Sequence, residues 1–150
     1  MNKFLDDFNR MCGEILRLSL NVESSLEFFI ENYFCYPQSH KTFYFHDFIL
    51  VNLSFERKIQ IFKKICKKEE VEEENLEKII KNIRYVQRIR NKIAHFESHI
   101  LKNKVIKLKS RKSVKFIEDD LKIDKNLLNE IRSKKESAIN GINKIHLQLS

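Results

Sequence analysis

Along positions 4–34, apolar residues recur at 4, 8, 11, 15, 18, 22, 26, 29 and 33. Every step is three or four residues, the spacing that gathers side chains on one face of an α-helix. A long first helix is therefore expected. Residues 35–39 end it, because Pro37 biases Tyr36 away from helical backbone. Positions 40–46 are aromatic and ambiguous, and the apolar run 48–53 is too short for periodicity to assign. Ser54 suits the N-cap of a helix reaching residue 68, since its hydroxyl can accept an orphan backbone N–H. Ile59, Phe62, Ile65 and Cys66 form the inner face of that helix.

Positions 69–77 hold six carboxylates, at 69, 70, 72, 73, 74 and 77. Acidic residues favour the positive N-terminal end of a helix, and a helix is expected to begin there. It runs over about 73–98, with Leu76, Ile79, Ile80, Ile83, Val86, Ile93 and Phe96 at helical steps. Two alternating runs follow, 104–109 and 113–117, joined by Ser110-Arg111-Lys112. Alternation with a polar turn predicts a β-hairpin over about 104–117, and its lysines would protect an exposed edge. A last helix is expected over about 125–149, with Leu127, Leu128, Ile131, Ala138, Ile142, Ile145 and Leu149 inward. The expected fold is a single all-α domain spanning 1–150: a four- to five-helix bundle with a small β-hairpin insert before the last helix.

Composition narrows the function. The chain has 150 residues with only two glycines and one proline. Gly13 and Gly141 cannot supply a glycine-rich phosphate loop. Cys12, Cys35 and Cys66 are odd in number and widely spaced, which points to reduced thiols rather than a disulfide framework. No apolar stretch approaches the roughly 20 residues of a membrane span. Asp6-Asp7 interrupts any apolar leader core, so a cytoplasmic location without membrane association is expected.

The formal charge is +8, and it is unevenly spread. Positions 78–117 hold 13 basic residues and one acidic residue, Glu97, so this segment carries +12 and the remainder −4. A one-sided basic block is the electrostatic footprint of a polyanion partner.

Within that block stands Arg88-Ile89-Arg90-Asn91-Lys92-Ile93-Ala94-His95. On a helix, Asn91 and His95 are one turn apart and share a face. Arg90 can bend toward the same rim, with Ile93 and Ala94 packed inward. A guanidinium, an amide and an imidazole suit RNA cleavage through the 2′-hydroxyl. Imidazole can move a proton near neutral pH, and guanidinium matches the charged phosphate oxygens of the transition state. The chemistry requires no metal or cofactor. One copy carries one imidazole at this place, so two copies across a two-fold axis would supply a pair. His95 and His99 are also four apart, a spacing open to a metal, but no further ligand cluster accompanies them.

The motif resembles that of the HEPN superfamily, whose hallmark is R-x4-6-H, often R-N-x-x-x-H, late in a helix of a helical bundle. Arg90-Asn91-Lys92-Ile93-Ala94-His95 has the four-residue spacer and the favoured Asn. Glu23-Ser24-Ser25-Leu26 looks like the E-x-x-L of the first helix. The resemblance implies a metal-independent endoribonuclease of toxin or antiviral-defence type, acting as a homodimer through the motif-bearing helices. By position, Arg90 and His95 would be catalytic, Asn91 would assist them, and Glu23 would support the set. Arg84, Arg88 and Lys92 would hold phosphates of single-stranded or loop RNA, with Lys107, Lys109 and Arg111 extending the track. An antitoxin or defence-system protein is a further expected partner. The rival expectation is a non-catalytic module that binds RNA, a nucleotide or an antitoxin-type partner.

Overall fold

The computed structural model describes residues 3–37, 39–100, 106–110 and 121–150. Helix α1 (Lys3–Cys35) leads into α2 (His40–Phe45), a π-helical turn (His46–Leu50), α3 (Phe55–Lys68) and α4 (Glu73–His95). Strands β1 (Phe96–Ile100), β2 (Ile106–Ser110) and β3 (Leu121–Lys122) precede the last helix, α5 (Lys125–Leu149). The architecture is mainly helical, and no described helix is long and apolar enough to cross a membrane.

The four long helices bury the stripes that periodicity marks. α1 packs against α5, α3 and α4, and α5 closes against α4. Ile15, Val22, Leu26 and Phe29 of α1 meet Ile59 and Phe62 of α3, Ile83 and Val86 of α4, and Ile131 and Ile142 of α5 in one buried cluster. Phe29 and Phe62 meet edge to face with ring centroids 4.9 Å apart. Each such side chain contributes about 1.5–3 kcal/mol on leaving water. Ile89 also joins the α4 stripe and is buried.

Local chemistry sets the helix ends. The Ser54 hydroxyl accepts from Arg57 N at 3.2 Å, and Asp124 caps α5 by accepting from Leu127 N at 2.9 Å. Ser39 and Thr42 form a reciprocal capping box that starts α2, in the stretch where periodicity is silent. Glu73 and Glu74 occupy the first turn of α4, at the positive end of its dipole. α3 ends with Glu70 at φ 55°, while Val71 N donates to Cys66 O at 2.9 Å and Glu70 N to Lys67 O at 3.4 Å. These two bonds satisfy the last carbonyls in a Schellman arrangement.

Two expectations need correction. α4 stops at His95, and the expected helical extension to 98 is strand instead. Phe96 continues the helical steps, and residues 96–100 carry no apolar alternation, but strand pairing supplies backbone partners along their length. β1 pairs antiparallel with β2, setting Glu97 opposite Lys109, His99 opposite Lys107 and Ile100 opposite Ile106. β2 pairs on its other side with β3, with Lys107 opposite Lys122. The hairpin expected over 104–117 is therefore not seen, because the strand at 106–110 takes β1 and β3 as its partners. Arg111 and the expected second strand at 113–117 lie outside the described residues. His99 stands on a strand, so its four-residue spacing from His95 is not a helical pair.

Candidate functional site

The motif occupies the last two turns of α4. Buried Ile89 ties this stretch to the core, and the next residue, Arg90, is half-buried. Arg90 Nη1 donates to Asn91 Oδ1 at 3.0 Å, so guanidinium and amide stand together. Ile93 packs partly buried against the core, as expected. Ala94 is exposed rather than inward. His95 is the final residue of α4, one helical turn beyond Asn91. β2, which carries Lys107 and Lys109, lies against α4.

Glu23 has another engagement. Lys58 of α3 is 3% exposed, and its Nζ donates to Glu23 Oε1 and Glu27 Oε1, each at 2.6 Å. His46 Nε2 lies 3.9 Å from Glu27 Oε2. The described bond of Glu23 thus links α1 to α3. Burial lowers the Lys58 pKa, but the two hydrogen bonds and the two negative charges outweigh it and leave the ammonium above the ordinary lysine value.

N-terminal to the motif, α4 and α5 frame an open groove of about 700 Å³. Lys78, Lys81, Arg84 and Arg88 of α4 and Lys134 of α5 line it, with Glu77 the one carboxylate among its described lining residues. Glu77 is engaged by Lys63, and that hydrogen bond holds its carboxyl below the usual range. Arg84 Nη2 reaches Glu56 Oε1 at 3.2 Å. Tyr85 forms part of the wall, with the Arg88 guanidinium 5.4 Å and the Lys134 ammonium 5.9 Å from its ring centroid. Such contacts hold cations over an aromatic face without neutralising them. Burial, then a hydrogen bond with Glu130, pushes the Tyr85 phenol up to about 12, so it stays protonated at neutral pH. Asn82 Nδ2 donates to Ser137 Oγ at 3.0 Å and ties the two helices together.

Two of the expected phosphate-holding residues, Arg84 and Arg88, share this groove, while Lys92 is half-buried within the motif itself. Lys78 and Lys81 belong to the basic block of the sequence, but the fold is what gathers them with Lys134 in this groove. The 77, 81, 84, 88 spacing on α4 marks one polar stripe, but only tertiary packing sets Lys134 against it. Lys58 was overlooked, although it falls among Phe55, Ile59 and Phe62 on the inner stripe of α3. A cation on an apolar stripe calls for a carboxylate partner, and Glu23 and Glu27, one turn apart, provide it. No protein-family model, curated protein or solved structure matches the chain.

Proposed function

We propose that the chain is a metal-independent endoribonuclease of HEPN type that cuts single-stranded or loop RNA as a homodimer. The observation that carries this reading is the Arg90–Asn91 hydrogen bond, one turn before His95, at the end of a helix flanked by a cation-lined groove. In the proposed reaction the RNA 2′-oxygen attacks the adjacent phosphorus as its proton leaves. The P–O5′ bond then breaks, and the 5′-oxygen takes up a proton. The products are a 2′,3′-cyclic phosphate and a 5′-hydroxyl. His95 serves one proton transfer, and His95 of the second copy serves the other. Arg90 stabilises charge on the phosphorane oxygens. Asn91 accepts from the guanidinium and still carries N–H donors of its own, so it orients Arg90 against the phosphate.

The groove cations would hold the strand leading to the cut, and Lys107 and Lys109 would extend the track. Single strands are favoured because their unstacked bases and flexible backbone reach such a surface. An antitoxin or another defence-system protein would restrain the activity in the cell.

The test is cleavage of a labelled RNA in the presence of chelator by wild type, Arg90→Ala and His95→Ala. Wild type is expected to cut, leaving cyclic phosphate ends, and each variant to lose about 100-fold or more, the scale of a lost acid–base group. Equal inertness of three folded proteins would sink the catalytic reading and favour the binding module.

A further inference from the structure

The segment after α1 presents a second surface unrelated to the motif. α2 and the π turn pack on α1 through buried Thr42 and Leu50. The π turn, closed by Val51 N donating to His46 O at 3.0 Å, keeps Leu50 inward and leaves its neighbours outward. Phe43 is 73% exposed and Phe48 71% exposed, and Tyr44, Ile49, Val51 and the adjacent Phe34 are each about half exposed or more. The Tyr44 and Phe48 rings lie parallel, 5.6 Å apart, and Phe34 lies against Phe45 of α2 at 6.0 Å. Taking about 200 Å² for a full aromatic side chain, Phe34, Phe43, Tyr44 and Phe48 expose about 500 Å² between them, and half-exposed Ile49 and Val51 add to it. Monomers rarely carry a patch above about 300–600 Å².

The charge of the segment points to its occupant. The chain is 33% charged, yet residues 39–53 contain one cation, Lys41, and one anion, Asp47. A neutral face on a strongly basic chain does not suit RNA. It also lacks the cluster of cations that holds a helix on an anionic lipid surface. A second copy of the same face fits both features. Its apolar area approaches the roughly 800 Å² per partner of a stable interface before any polar rim is added. An isologous contact requires a self-complementary surface. Lys41 and Asp47, both exposed and six residues apart, satisfy this when two α2 segments pair antiparallel, each Lys41 facing the Asp47 of the other copy.

We infer that this face is a two-fold self-association surface formed by α2 and the π turn, separate from any pairing at the end of α4. It does not rest on the ribonuclease reading. Light scattering and sedimentation velocity on the full chain test it. Wild type is expected above monomer mass at micromolar concentration, and Phe43→Ser/Phe48→Ser is expected to halve that mass while keeping helical circular dichroism. Lys41→Glu is expected to weaken association, and the added Asp47→Lys to restore it. A monomeric wild type overturns the inference, as does a mass unchanged in the double variant or an Asp47→Lys that fails to rescue. Flotation of a monomeric wild type with phosphatidylcholine–phosphatidylglycerol vesicles overturns it by assigning the face to a membrane. The charge reversal also keeps the test decisive should Phe43→Ser/Phe48→Ser not fold.

Discussion

Replacing Lys58 with Met removes a buried ammonium and keeps most of the volume of the side chain. Two carboxylates then remain on adjacent turns of α1, Glu23 and Glu27, each with a side chain 18% exposed. Breaking a buried ion pair by deleting one partner costs about 3–5 kcal/mol, because the surviving charge stays out of water. Here the carboxylates keep some contact with solvent, so the lower end applies, and a loss of about 3 kcal/mol is expected. Urea titration followed by circular dichroism measures it, with the slope held constant so that the midpoint shift reports stability. The triple variant Lys58→Met/Glu23→Gln/Glu27→Gln removes the unpaired charges and is expected to return to within about 1.5 kcal/mol of wild type. The pH dependence carries a definite sign. The folded-state pKa of Lys58 is raised, so its contribution is complete below the unfolded lysine value of about 10.4 and fades as pH rises through the higher folded value. The gap between wild type and Lys58→Met should therefore hold from neutrality to about pH 10 and narrow above it. A single variant within about 0.5 kcal/mol of wild type, the range of ordinary surface changes, would refute the reasoning. So would a triple variant as unstable as the single one.

Three further outcomes follow from the packing and the groove. A Cβ on Gly141 would run into Cγ1 and Cδ1 of Ile79 where α5 meets α4. Overpacking of about 1–3 kcal/mol should outweigh the roughly 1 kcal/mol that helix propensity returns, so Gly141→Ala is expected to destabilise in the same titration. Glu70 holds φ 55°, a conformation that costs a side-chain-bearing residue about 1–2 kcal/mol. Glu70→Gly is thus expected to gain about 0.5–1 kcal/mol after the glycine entropy cost, and a loss of stability would count against the strain. For RNA, each phosphate neutralised on a single strand contributes about 0.7 to the slope of log affinity against log salt. With a non-cleavable strand, Lys78→Glu/Lys81→Glu should flatten that slope by about 1.4, read by fluorescence anisotropy. An unchanged slope would remove the groove from the binding path.

The helices themselves were legible in the sequence. Three- and four-residue steps marked the buried stripes of α1, α3, α4 and α5, and Ser54 announced its own cap. These are local properties, set by the geometry of one helical turn and by what a side chain can bond within three residues. The same locality made Arg90, Asn91 and His95 visible as one group, because residues within two turns of a helix are neighbours before any tertiary contact forms. The end of α4 was not legible, because Phe96 continues the helical steps and residues 96–100 carry no alternation to set a strand against a helix. Pairing with residues 106–110 decides between them, and that pairing is non-local. The pairing of the strand at 106–110 was not legible for the same reason, since alternation identifies a strand but not its partner. α2 and the π turn were hidden by short length, although the capping box at Ser39 and Thr42 was there to be read. Tertiary structure alone set Lys134 across from the α4 cations, joined Glu23 to Lys58, and left the α2 aromatics uncovered. Each of these depends on which surfaces of distant segments meet, and a linear pattern carries that information only after the chain has closed on itself.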